Sequence, residues 1–291
     1  MKITTRISLL MSLMLATQIG MAAPAPQFKL DLNKVFKTAT DGSKALKEFS
    51  EEEEIALGQE VTSNLLSLGP LVENKEVQSY VNKVGRWVSS HSERPDLPWT
   101  FVVIDVEPAN AFAAPGGYVV ITTGLLKRLN SEAELAGVLG HEVSHVVRKH
   151  HLSAIKKADT LAFLKTAGES ALDATGKATD KNKALLDAAS AGLALYGIGL
   201  DKDSELEADR MGVVLATRSG YDPFALPAAL QAINGSKGSD LKFLLSTHPP
   251  INERLTQLDR AMGSKFDRYE HLPAVEDRFQ QIKNLLVQAK K

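Results

Sequence analysis

The chain has 291 residues, 44% of them hydrophobic and 24% charged, with a net charge of −1. That balance describes an ordinary globular protein with one main domain, and it lacks the basic stripe that a nucleic-acid partner demands. There is no cysteine. Disulfides, thiolate metal ligands, a thiol nucleophile and a cysteine lipid anchor are therefore all excluded.

The amino terminus reads as a targeting segment. Lys2 and Arg6 form a short positive region, Ile7 to Ile19 is an apolar core, and small residues follow at Gly20, Ala22 and Ala23. This is the pattern of a cleavable signal peptide over residues 1–22, and its apolar run is short of the ~20 residues that span a bilayer. Its removal takes two cations, Lys2 and Arg6, and leaves a net charge of −3. An exported chain without disulfides suits a bacterial periplasm. Residues 23–49, with Pro24 and Pro26, form a flexible lead-in. Ser50 then caps a helix whose first turn carries Glu51 to Glu54, an acidic run expected to complement the helix dipole and face solvent.

A second helix is expected over Lys75 to His91 and a strand over Trp99–Asp105. Asn110-Ala-Phe-Ala113 follows, and Pro115-Gly-Gly117 turns the chain into a strand at Tyr118–Thr122.

The pentapeptide His141-Glu-Val-Ser-His145 carries the chemistry. Residues four apart lie on one helical face, so both imidazoles can address one metal ion, and Glu142, about 100° round the helix, can reach water on that metal. Such a string arises by chance in about one chain in a hundred of this length, so its context decides. Ser131 and Glu134 have capping-box spacing, and Leu135, Val138, Leu139, Val143, Val146 and Val147 supply a broad apolar face. The motif thus sits inside a buried helix over residues 132–150. Arg148-Lys149-His150-His151 suits the negative helix end, and its two histidines are expected in solvent.

A zinc site of this kind needs a third protein ligand. The best candidate is Glu205 in Ser204-Glu-Leu-Glu-Ala-Asp-Arg210, with Asp209 four residues on to hold the far nitrogen of a ligating histidine. Glu207 is a rival ligand, without a carboxylate partner at i+4. A solvated acidic helix start is the bland alternative. Between the motifs, residues 152–203 read as two helices split by Ala174–Asn182. The apolar run Ala184–Leu200 is interrupted by Asp187 and reads as a buried helix rather than a membrane span. Leu241–Met262 and Pro273–Ala289 are expected to be helical.

These residues carry a family resemblance. HEVSH followed by ELEAD resembles the gluzincin-type zinc peptidases, a group that takes in HtpX, the BepA-like periplasmic proteases and the CAAX prenyl endopeptidase. Ser50-EEEEIALGQE, Asn110-AFAAPGG-Tyr118, Gly220-Tyr-Asp-Pro223 and Ser246-THPPINER are similar to further landmarks of that group, so the likeness covers about residues 50–260.

The resemblance implies an α+β, mainly helical zincin-like metallopeptidase domain over residues 50–265. A small β-sheet would lie beside the active helix, with a C-terminal helical extension over residues 266–291. It implies that Asn110, Ala111, Phe112 and Ala113 form an edge strand for substrate backbone, a plain core strand being the alternative. It also brings His248 near the metal, as an oxyanion helper or as a fourth ligand that leaves before substrate enters. Arg254 would orient that loop, pair with Glu205 or Asp209, or hold substrate.

The expected mechanism is peptide hydrolysis with one Zn²⁺ per chain on His141, His145 and Glu205, and with Glu142 as general base. No covalent intermediate is expected. Unfolded or misassembled cell-envelope proteins are the implied substrates, with outer-membrane assembly components as candidate partners. The competing function is a protease-like chaperone that keeps the zinc site and mainly holds clients; Glu142 favours the enzyme, since pure binding has no use for it.

Overall fold

The computed structural model describes residues 48–157, 200–234 and 248–288. The expected signal peptide, nearly all of the lead-in, and most of the helices expected between the two motifs (residues 158–199) lie outside the described residues.

Helix α1, Glu51–Leu65, starts at a full capping box: the Ser50 side chain accepts from the Glu53 amide, and the Glu53 side chain accepts from Ser50 N–H. Helix α2, Lys75–Ser89, is capped by Asn74, and turns Val77, Val81, Val84 and Val88 inward. Strands β1 (Thr100–Ile104), β2 (Ala111–Ala114) and β3 (Tyr118–Thr122) form one mixed sheet in the order β1-β3-β2. Strand β3 runs parallel to β1 and antiparallel to β2. The turn between β2 and β3 holds Gly116 at φ 74° and Gly117 at φ 98°. That left-handed region is one a side chain rarely adopts.

Short helix α3, Thr123–Arg128, leads to α4, Glu132–Val147, where Ser131 Oγ caps the Glu134 amide. The box is not closed: the Glu134 carboxylate takes the Asn130 amide at 2.7 Å instead. Nearly every residue of α4 is buried. It packs most extensively on α5, Lys202–Arg218, and also meets α6 (Ala225–Asn234), α2 and β2. Helices α7, Ile251–Met262, and α8, Glu276–Gln288, complete the described chain. The fold is therefore mainly helical with a small sheet beside the motif helix, as the resemblance implied.

Three expectations change. The motif helix stops at Val147, because Lys149 adopts φ 57° and the chain turns before a new helical stretch begins at His150. Helix α7 begins at Ile251, after Pro249 and Pro250, since a proline cannot donate a helical amide bond and restricts its predecessor; the expected start at Leu241 lies outside the described residues. The acidic opening of α1 is not wholly solvated either. Glu54 shares the inward face of Leu57, Gly58 and Val61, and it is fully buried. It binds Arg94 Nη1 at 2.9 Å and accepts the Gly116 amide at 3.1 Å. That carboxylate ties α1 to the turn that carries β2.

Helix α8 belongs to the same hydrophobic core as α4. Phe279 is fully buried there, and Glu132 at the start of α4 accepts from Tyr80, Tyr221 and Arg278.

Candidate metal centre

Helices α4 and α5 cross at glycine. A Cβ on Gly140 would fall 2.9 Å from the Gly212 carbonyl oxygen, and one on Gly212 would fall 2.9 Å from the His141 amide nitrogen. This close approach sets the acidic face of α5 directly against the histidine face of α4. His141, His145 and Glu205 are each 3% exposed or less.

Their ligating atoms converge. His141 Nε2 and His145 Nε2 lie 3.0 Å apart, Glu205 Oε2 is 3.7 Å from His141 Nε2, and Glu205 Oε1 is 3.5 Å from His145 Nε2. Ligand atoms at ordinary zinc distances on a tetrahedron stand about 3.3 Å apart, and these separations bracket that value. His248 joins the group, its Nε2 at 3.8 Å from Glu205 Oε2. One ligand atom from each of the four residues lies within 4.8 Å of the others.

The remaining nitrogen of His141 is fixed. His141 Nδ1 lies 3.0 Å from Asp209 Oδ1, so Nδ1–H donates there and the Nε2 lone pair faces the cluster. Arg254 clamps the same carboxylate, with Nε to Oδ2 at 2.9 Å and Nη2 to Oδ1 at 2.6 Å. Of the roles open to Arg254 in sequence, pairing with Asp209 is the contact made. Burial opposes ionisation of Asp209, but the Arg254 charge and hydrogen bonds to Arg254 and His141 outweigh it, holding the carboxyl well below its ordinary value.

Elsewhere burial dominates. It lowers His141 and His145 below the usual imidazole range, leaving neutral rings with free lone pairs. Burial, with the Asp209 and Glu142 charges beyond it, pushes Glu205 well above the usual carboxylate range. Glu205 Oε2 is buried without a hydrogen-bond partner among the described residues. A buried carboxylate oxygen in that state is costly unless a cation or a donor meets it. Two lone-pair nitrogens and such an oxygen, facing one point, make a donor set that fits zinc.

Burial also raises Glu142, to about 8, against the opposing influence of Arg254 and a hydrogen bond from the Ala113 backbone. That bond reaches from β2. Thr122 N–H donates to the Asn110 carbonyl, and with the register Ala111↔Ile121 and Ala113↔Val119 the alternation of an antiparallel ladder turns the backbone groups of Ala111 and Ala113 away from β3. Asn110 Oδ1 accepts the Ala111 amide at 2.9 Å. β2 is the outer strand of the sheet on the α4 side.

Two histidines expected in solvent are not there. His150 is 7% exposed, its Nδ1 2.9 Å from His145 Nδ1, and burial lowers it below the usual imidazole range. His151 is partly buried and lies beside His145, with ring centroids 5.6 Å apart and planes tilted by 56°, and burial followed by the His150 charge brings it down to about 3. The expectation placed both in solvent at the helix end; the left-handed turn at Lys149 instead brings them under the motif. Nothing in local composition announces that turn. Glu207, the rival ligand, is partly exposed and pairs with Arg148 and His150, outside the cluster.

The family model of peptidase family M48 matches residues 72–262, a span that includes His141, His145, Glu205 and His248. The chain belongs to peptidase family M48. Its similarity to other proteins extends further. It is 31% identical over 252 residues to the beta-barrel assembly-enhancing protease of Escherichia coli K12, covering 85% of this chain and 50% of that one. The mitochondrial metalloendopeptidase OMA1 of Arabidopsis thaliana is 29% identical over 192 residues, 66% of this chain and 37% of the relative. The metalloprotease YcaL of Escherichia coli K12 is 28% identical over 170 residues, 58% of this chain and 64% of the relative. This M48 chain spans about half the length of the first of these relatives.

Proposed function

We propose that the chain is a zinc-dependent endopeptidase that cleaves unfolded or misassembled proteins of the bacterial cell envelope. The observation that carries this reading is the convergence on one buried point, beside Glu142, of His141 Nε2, His145 Nε2 and a Glu205 oxygen that has no hydrogen-bond partner among the described residues. His141, His145 and Glu205 hold the metal, with Asp209 and Arg254 behind His141. Zinc, when bound, supplies Lewis acidity that brings the pKa of water towards ~7 and polarises a peptide carbonyl.

The protein's own groups do the rest. Glu142, held by the Ala113 amide and made more basic by burial, accepts the proton of the attacking water and returns it to the leaving amine. The outward carbonyls of Ala111 and Ala113 accept from extended substrate, with Asn110 holding the Ala111 amide and Phe112 fixing the strand. Backbone pairing gives affinity with little sequence preference, which suits unfolded clients.

The placement of His248 within the donor cluster supports its role as a fourth ligand, a latent state that opens before substrate enters. The same observation favours the chaperone reading, since a capped metal leaves client holding without cleavage. An envelope location follows from the expected signal peptide and from the likeness to a β-barrel assembly-enhancing protease, which makes outer-membrane assembly components candidate partners. No helix among the described residues is long and apolar enough to cross a membrane.

The test is casein cleavage by zinc-quantified protein. Wild type or His248→Ala is expected to cleave, and zinc-loaded Glu142→Gln is not. Substantial cleavage by Glu142→Gln overturns the mechanism; zinc without cleavage in wild type and His248→Ala moves the function to client holding.

A further inference from the structure

His141 has Asp209 to fix its ring, but among the described residues His145 meets no carboxylate at its far nitrogen. It has a histidine. His145 Nδ1 and His150 Nδ1 face each other at 2.9 Å, and His150 Nε2 lies 3.3 Å from Glu207 Oε2. The Glu207 carboxylate is held from its other side by Arg148 Nε at 3.1 Å.

The hydrogen bonds can be ordered from the outer end. The Glu207 carboxylate, held by Arg148, accepts, so His150 Nε2 carries the hydrogen. A neutral His150 then presents its Nδ1 lone pair to His145, and the 2.9 Å contact requires His145 to donate through Nδ1–H. His145 Nε2 is left with its lone pair, and it faces His141 Nε2 at 3.0 Å and Glu205 Oε1 at 3.5 Å. Every donor in the row meets an acceptor, and the last free lone pair points into the cluster. His145 and His150 are both buried, so water does not compete for the bond between them.

We propose that His150, backed by Glu207, is a positioning residue that selects the ligating tautomer of His145, as Asp209 does for His141. Glu207 is thereby an outer member of the site rather than a ligand. The break at Lys149, φ 57°, is what allows it: an unbroken helix would carry His150 about 140° round from His145. This inference rests on the reading of the cluster as a zinc site.

The test is zinc affinity of the full chain, measured by competition with a chromophoric chelator in wild type, His150→Leu and His150→Asn. Leucine removes the acceptor, while asparagine places Oδ1 where Nδ1 stood. Loss of an outer partner of this kind costs on the order of 10–100-fold in metal affinity. His150→Leu is expected to show that loss and His150→Asn to recover most of it. Wild-type affinity in folded His150→Leu overturns the relay alone, whereas failure of wild type to bind one zinc overturns the zinc site and the relay together. A second readout does not depend on any variant folding. Long-range ¹⁵N–¹H spectra of metal-free wild type are expected to show His145 protonated on Nδ1 and His150 on Nε2. His145 protonated on Nε2 contradicts the proposal.

Discussion

Gly212→Ala separates helix stability from site geometry. In an ordinary helix interior this change stabilises by about 1 kcal/mol, because alanine is the better helix former. Here the new methyl would stand 2.9 Å from the His141 nitrogen and 3.2 Å from both His141 Cα and Leu226 Cδ2. Backbone cannot rotate aside. Restoring a contact near 3.5 Å requires α5 to move from α4 by about 0.6 Å. Overpacking of this kind costs about 1–3 kcal/mol, which the propensity gain partly offsets, so the melting temperature should fall only modestly. Metal binding is less forgiving. Ligand distances tolerate about ±0.2 Å, and Glu205 and Asp209 ride on the helix that moves. Zinc affinity is therefore expected to fall on the order of 10–100-fold, by chelator competition, in a protein whose circular dichroism is unchanged. A variant that melts higher than wild type and binds zinc as tightly would refute the claim that this glycine crossing sets the site.

Other expectations concern charge and core. Asp209→Asn keeps the shape but leaves the Arg254 guanidinium buried beside a neutral partner; a cost of about 3 kcal/mol is expected in urea unfolding, together with weakened zinc binding. At Glu132, burial opposes ionisation while Arg278, Tyr80 and Tyr221 favour it, so the folded carboxyl lies below its ordinary value of 4.5. Its stabilisation is then present above that ordinary value and is lost as pH falls through the folded one. Glu132→Gln should accordingly be destabilised at pH 7, by about 1.5–3 kcal/mol, with the gap closing as pH falls below 4.5; a gap that stays constant down to acid unfolding would contradict the ion-pair account. Phe279→Ala should cost about 3–5 kcal/mol in thermal melts, because its ring is fully buried in the core that supports α4. A loss within 0.5 kcal/mol, the range of ordinary surface changes, would mean that α8 is only loosely attached.

Much of the site was legible in sequence because helical spacing alone places His141 with His145 and Glu205 with Asp209. The strand that the resemblance implied at Asn110–Ala113 is found one residue on, at Ala111–Ala114, and its ladder alternation explains why Ala113 can reach Glu142. What sequence concealed is non-local. His150 meets His145 only because one residue, Lys149, turns left-handed. Arg254 had three roles open to it, and only the fold selects its pairing with Asp209 across 45 residues of chain. Glu132 collects partners from α2, α8 and the turn after α5, and no spacing rule links those segments. Glu54 differs, since its i+3, i+4 and i+7 companions Leu57, Gly58 and Val61 already marked an inward face.

The account's central claim is that two histidines and one glutamate hold a single zinc. It is tested most directly by an anomalous difference map, at the zinc absorption edge, from crystals grown with zinc. One peak per chain is predicted, about 2.0–2.2 Å from His141 Nε2, His145 Nε2 and a Glu205 carboxylate oxygen. A peak elsewhere, or none in zinc-saturated crystals, would contradict it.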